Sequence, residues 1–436
     1  MYRTARQLSE AFADGSDTPL QALERSLEAL RQVPAAFISV SAQATSEAEA
    51  SGLRWKEHRP LSPLDGVPVA WKDLIDMAGT VTTSGRQGLT AVATQDAPIV
   101  ARARAAGMVS VGKTNLSELA YSGLGVNPHH GTPDHAVVSG HVPGGSSSGA
   151  AISVAAGVVP LSIGTDTGGS VRIPAAFNGL IGYRPTSWHY DQAGIQALAP
   201  SFDTVGPLAQ TVGDIQLFDE VFAGRSGEPA ASPALAYDHE FLASLPIQAE
   251  IWTGFLAAIE RLRGGGLKIE NRPLAVWRDA FTLVTTCGWP GAVEAYRTHQ
   301  GLLSTPEAER LDPRVRSRLL LASGLSADHH AQVMARRSEL IGRVETEMDV
   351  LMLTPTVALT APALSAVERD EDFARLNLDT LRFTMIGSLL DQPGVTLPAG
   401  VDSAGLPYGL LLSAPRGHDA RLLSAAAEVE QRLTPG

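Results

Sequence analysis

Apolar residues recur along this chain in two alternating rhythms. Over 18–31, TPLQALERSLEALR, the residues Leu20, Leu23, Leu27 and Leu30 fall three or four apart, behind Thr18 as a candidate N-cap and Pro19 at the first helical position. That spacing predicts an amphipathic helix. At 67–71, VPVAW is a short apolar run that ends on Lys72 and Asp73, the pattern of a buried strand delivering charge at its tip. APIVARARAAG followed by MVSVGKTN reads as helix, glycine stop and strand, and AAISVAAGVV followed by PLSIGTD repeats that order. Such alternation argues for an α/β architecture.

Farther along, VGDIQLFDEVFAG predicts a helix closed by Gly224, and GEPAASPALA after it a loop rich in Pro, Ala and Ser. The stretch 253–345 reads as mainly helical, MDVLMLTPT as a buried strand, and DARLLSAAAEVEQRL as a closing helix with Asp419 at its positive end. No internal repeat interrupts this order, and 436 residues suffice for one large, well-buried core, so residues 1–436 are taken as a single domain.

Composition narrows the class. With 44% hydrophobic and 18% charged residues the chain is an ordinary globule. Lys plus Arg number 34 against 46 Asp plus Glu, a formal charge of −12 with no basic cluster, which excludes a nucleic-acid partner. The N-terminus has no apolar targeting segment and no run is long enough to span a bilayer, so no membrane role and a cytoplasmic location are expected. Cys287 has no partner for a disulfide and reads as a buried bystander. The adjacent histidines His129 and His130, and His329 and His330, lack acids or thiolates at ligand spacing, so neither a metal nor another cofactor is expected.

The chemistry gathers around two glycine-flanked serine runs. GSSSG at 145–149 fits G-x-S-x-G, which would make Ser147 the nucleophile of a hydrolase elbow, but downstream partners such as Asp349 and His418 have no supporting spacing. As composition alone, GGSSSG is equally a linker or helix-entry turn. GTDTGGSVRIP at 164–174 places a second serine after a strand, where successive backbone N–H groups can form an anion-binding nest; a non-catalytic anion binder would use the same feature. Upstream, the apolar neighbours of Lys72 can lower its pKa by desolvation.

Together GVPVAWKD, PGGSSSGAA and GTDTGGSVRIP resemble the amidase signature family, and GKTNLSELAYSGLGVNPHHGTP, SFDTVGP, DVLMLTPT and GLPYGLLLSAPRGHDARLL extend the resemblance over most of the chain. It implies a large, mostly parallel mixed β-sheet covered by helices on both faces, and a catalytic set of Lys72, Ser146 behind a cis peptide, and Ser170 as nucleophile, 24 residues beyond Ser146. In that scheme Ser146 relays a proton from Ser170 to neutral Lys72, which must titrate roughly 2–3 pH units below an ordinary lysine. The N–H groups of Thr167, Gly168, Gly169 and Ser170 form the oxyanion hole, and Asp166, Arg172, Gly145 and Ser147 support it. Tyr121, Gly144, Phe383 and Ile386 are the expected substrate contacts. The region 225–345 is least family-like and is expected to contribute to the substrate entrance. Ser148 and GYRPTSWHYDQAG also depart from the family pattern.

The implied function is hydrolysis of a linear amide, small or aryl, or of a carbamate, through an acyl-serine, by a monomer or homodimer. The alternatives are a glutaminase-like subunit of an amidotransferase and, more remotely, an esterase using Ser147.

Overall fold

The computed structural model describes residues 4–88, 92–224 and 234–433. Eleven strands form one sheet: β1 (Phe37–Val40), β2 (Pro68–Lys72), β3 (Val109–Thr114), β4 (Leu161–Thr165), β5 (Ile181–Arg184), β6 (Val205–Ala209), β7 (Leu235–Tyr237), β8 (Ile269–Asn271), β9 (Leu351–Pro355), β10 (Gly394–Val401) and β11 (Pro407–Ser413). Their order is β1-β3-β2-β4-β6-β5-β10-β11-β9-β7-β8.

The expected mixed sheet is present, but its pairing is not mostly parallel: among the described strands six neighbouring pairs are antiparallel and four parallel. The parallel part is where helices cross between strands, β3-β2-β4. The hairpin β10–β11 then inserts against β5 and β9 and turns the middle of the sheet antiparallel.

Period-two alternation sends side chains to two separate cores. Val69 and Trp71 of β2, with Leu161 and Ile163 of β4, join the core that includes Phe218 and Leu422; Ala70, with Val109 and Val111, joins the one packed under Ala151 and Ile152. Trp71 can be fully buried because its Nε1 donates to Ser110 Oγ at 3.0 Å.

The helices begin and end where their caps dictate. Thr18 Oγ1 accepts from the Gln21 N–H at the start of helix Pro19–Gln32, and Gly224 closes Val212–Ala223 in the left-handed conformation. Asp419 opens the last helix and accepts from the Tyr183 hydroxyl (2.7 Å) and from the N–H and Oγ1 of Thr186 (2.9 and 2.6 Å), tying the C-terminal helix to the end of β5.

Two expectations change. The region 253–345 is helical in Ala249–Gly264, Ala275–Cys287, Gly291–Leu303, Pro313–Ala322 and Ala327–Glu347, but it also supplies β8 at the sheet edge, three residues with too few side chains to show a period. Cys287 is half-buried at the end of its helix and not in the core. Most of the expected loop at 227–236 lies outside the described residues, and its last two residues begin β7. Among the described residues no helix is long and apolar enough to cross a membrane.

Helix Ser148–Ala155 starts in a tight seat, where a Cβ on Gly149 would overlap the Ala36 carbonyl and the Asn115 backbone. Neither obstacle is a flexible side chain. Gly149→Ala should therefore destabilise the protein by about 1–3 kcal/mol, read as a lower urea midpoint; an unchanged midpoint would show that this packing is loose.

Candidate active site

β2 and β4 run parallel side by side, so their C-terminal residues, Lys72 and Thr165, emerge at the same edge of the sheet. Crevices outside the carboxyl ends of parallel strands are where open α/β sheets hold ligands. Lys72 is 0% exposed. Its Nζ lies 2.7 Å from Ser146 Oγ, 2.8 Å from Thr165 Oγ1 and 3.5 Å from the Thr165 carbonyl oxygen. Burial pulls the Lys72 ammonium down to about 7, with the charges of Asp166 and Asp203 opposing the shift. No carboxylate forms an ion pair with it among the described residues; Asp73, next in sequence, pairs with Lys113 at 3.1 Å.

The segment before helix Ser148–Ala155 brings Ser146 to the lysine. The Gly145–Ser146 peptide is cis, as the resemblance implied. The Gly145 N–H donates to the Gly123 carbonyl at 2.8 Å, and the Ser146 carbonyl accepts from the Ser117 N–H at 3.1 Å, so the turn is held from both sides. Ser147 faces away from any catalytic partner, its Oγ donating to the Thr165 carbonyl at 3.3 Å. Asp349, one partner an elbow mechanism would need, is an exposed residue paired with Arg272. The esterase reading based on Ser147 finds no support in these contacts.

The second serine sits on the loop between β4 and helix Arg172–Asn178. Asp166 organises it: its carboxylate meets Arg172 at 2.9 and 3.0 Å and Arg184 at 3.2 Å, and it accepts from the Val171 N–H at 3.2 Å. Burial alone would raise the Asp166 carboxyl, but the two guanidiniums hold it well below the ordinary carboxylate range. With the loop fixed at its base, the Thr167, Gly168, Gly169 and Ser170 N–H groups donate to nothing among the described residues. They remain a set of unspent donors. Gly169 has φ +140° and lies against Thr384, whose Oγ1 donates to the Gly168 carbonyl at 2.7 Å; a side chain at 169 would overlap that hydroxyl. The Ser170 carbonyl accepts from the Ser147 N–H at 3.2 Å, which sets the two serine segments side by side. The Ser170 hydroxyl has no hydrogen bond among the described residues, to Ser146 included.

Thr167, Gly168 and Ser170 line a cavity of about 220 Å³. Of the expected substrate contacts, Tyr121 lines it. The other three do not. Phe383 and Ile386 are buried in the core, because helix Thr384–Leu389 turns Met385 toward the cavity and Ile386 away from it. Gly144, at φ +77°, is pressed against Pro174 and Phe177. The remaining wall comes from residues that sequence reasoning missed, among them Leu198, Trp289, Arg318, Leu321 and Leu381. Trp289, Arg318 and Leu321 belong to the helical region expected at the entrance. It is docked by Glu118, whose carboxylate accepts the Asp312 N–H at 2.7 Å. Thr165 was missed as well, although its place five residues before Ser170 at a strand end was a usable signal.

Comparison with known proteins gives one answer throughout. The sequence model of the family described as Amidase matches residues 20–423. The chain is 34% identical to 2-amino-5-chloromuconic acid deaminase of Comamonas testosteroni, covering 91% of this chain and 87% of that protein. It is 31% identical to indoleacetamide hydrolase of Pseudomonas savastanoi, covering 99% and 96%. A crystal structure of an amidase superposes with a TM-score of 0.89 at 30% identity, over 99% of this chain and 100% of that one.

The buried charges around Asp166 can be tested directly. Asp166→Asn leaves Arg172 and Arg184 without their counter-charge and should cost about 3–5 kcal/mol, seen as loss of soluble protein or a much lower denaturation midpoint. A stability loss under about 1 kcal/mol would mean that the carboxylate is not what holds the loop.

Proposed function

The chain belongs to the amidase family and is a hydrolase of amide C–N bonds, and from that premise we propose how it does so: Ser170 attacks the amide carbonyl, Ser146 carries its proton to Lys72, and an acyl-Ser170 intermediate follows. A serine hydroxyl is a weak nucleophile until a base takes its proton, and an amine can act as that base only when uncharged. The observation that carries the reading is Lys72 Nζ, sealed from solvent, 2.7 Å from Ser146 Oγ and titrating at about 7. At neutral pH a large fraction of that amine is free to accept.

As the tetrahedral oxyanion develops, the donors that receive it are the N–H groups of residues 167–170; one such donor is typically worth ~10²–10³ in rate. The ammonium formed at Lys72 then returns its proton through Ser146 to the departing amine. Water releases the acyl group from Ser170 by the same steps in reverse. The Ser146–Ser170 link is the one contact of the relay not formed as a hydrogen bond, and such bonds commonly tighten only when substrate orders the site.

The cavity supports a compact, mainly apolar substrate. At about 220 Å³ it matches the room of roughly seven waters at ~30 Å³ each, and Leu198, Trp289, Leu381 and Met385 form its wall. An aryl or short-chain amide fits this description, and a carbamate, whose carbonyl is open to the same attack, is the neighbouring class to try. We read the enzyme as acting alone in the cytoplasm, as a monomer or homodimer.

Assayed as the purified single chain on a panel of aryl amides, short amides and carbamates, wild type should turn over at least one class without added subunits. Lys72→Ala and Ser170→Ala should each lower kcat by about 10⁴–10⁶, with the fold retained by circular dichroism. Ser146→Ala should lose roughly 10²–10⁴. Loss of activity in Ser147→Ala with Ser170→Ala still active would overturn the assignment. A second variant tests Thr165: Thr165→Val keeps the volume but not the oxygen that holds Lys72 Nζ, and should lower kcat/KM about 10–100-fold, with Thr165→Ser recovering most of it. Equal loss in both variants would make its role one of packing.

A further inference from the structure

We propose that the preferred substrate carries a carboxylate that pairs with Arg318 in the wall of the Ser170 cavity. This rests on the cavity being the substrate site, as read above. Arg318 comes from helix Pro313–Ala322 and is the one charged side chain in a wall otherwise built of apolar groups, backbone, small hydroxyls and Tyr121. Its guanidinium is oriented on one side only. Nη1 donates to the Tyr121 carbonyl, and the group stacks over the Tyr121 ring at 4.3 Å.

Among the described residues Arg318 meets no carboxylate, and Nε and Nη2 donate to nothing while not being closed off from the cavity. Other guanidiniums of this protein with little exposure are treated differently: Arg54 pairs with Asp65, and Arg172 and Arg184 with Asp166. The acid nearest in sequence, Asp312, is occupied, its Oδ1 capping the Arg314 N–H at 2.9 Å. A half-buried cation with no counter-ion is costly to keep, whereas a ligand carboxylate would meet its free N–H groups as a fork of two parallel hydrogen bonds. The Tyr121 ring and carbonyl hold the guanidinium plane in advance, so little ordering remains to be done on binding.

The opposite end of the same cavity holds Ser170 and the free N–H groups. A substrate spanning the two would have its amide carbonyl at one end and its carboxylate at the other, with a short apolar body between. That describes a monoamide of a small dicarboxylic acid. Its hydrolysis would give the dicarboxylate and ammonia, or an amine, with one water consumed.

The test uses pairs of amides that differ only in carboxylate against methyl: succinamate and butanamide, glutaramate and pentanamide, 3- and 4-carbamoylbenzoate and the corresponding methylbenzamides. For the best pair, wild-type kcat/KM should favour the carboxylate by about 30-fold or more. That ratio should fall about 30–1,000-fold in Arg318→Gln and by less in Arg318→Lys, which keeps the charge but not the fork. A wild-type preference for the methyl member in every pair overturns the proposal without any variant. So does a ratio equal in wild type and in Arg318→Lys and Arg318→Gln, the result expected if Arg318 only supports Tyr121. Hydrolysis of the methyl amides alone would leave the acyl-serine reading standing and remove the anion; hydrolysis of no member would overturn both.

Discussion

The site depends on an amine taken out of water and given no ion-pair partner. Two lysines stand at the ends of adjacent strands, Lys72 on β2 and Lys113 on β3, both fully buried and both pulled down by desolvation. Lys113 faces the Asp73 carboxylate at 3.1 Å. Lys72 faces only neutral oxygens, Ser146 Oγ and those of Thr165. A paired lysine is a structural cation, whereas an unpaired one surrounded by hydroxyls tends to lose its proton, and the difference arises from where a single aspartate points.

Much of the surrounding structure keeps that arrangement in place. The Asp166 carboxylate lies close enough to raise the lysine by its field, yet it is held by Arg172 and Arg184, so the local charge is largely balanced. The same three residues fix the base of the 166–172 loop and leave its N–H groups free. On the opposite wall the Glu118 carboxylate, raised to about 7 mainly by burial, docks the Asp312 N–H and with it the helix that carries Arg318 and Leu321. Leu119 and Ala120, which follow, adopt positive φ of 52° and 59° at the cavity rim, a conformation that non-glycine residues keep only where surrounding contacts impose it.

The sequence was most legible where chemistry forces residue type. Lys72 at a strand tip, the glycines around Ser146 and Ser170, and the capped helices at 19–32 and 212–223 could all be read, because a buried cation, a close backbone approach and a cap each restrict the choice of residue. Legibility failed where only geometry decides. Phe383 and Ile386 are as apolar as Met385, and the rotational phase of one short helix determines which of them meets the cavity. Arg318 looked like one of several arginines in PRVRSRLLLA until its helix was docked over Tyr121. β7 and β8 are too short to declare a period, and the antiparallel centre of the sheet follows from a hairpin insertion that local pattern does not encode.

The most direct measurement is the rate at which a fluorophosphonate labels the wild-type enzyme as a function of pH, with the modified residue identified by peptide mass spectrometry. If an uncharged Lys72 activates Ser170, the label falls on Ser170 and its rate rises about tenfold per pH unit up to an inflection near 7, then levels off. The sign follows from the lysine: below about 7 it is protonated and cannot accept. Label on Ser147, or a rate on Ser170 that is flat or falling across that range, would contradict the account.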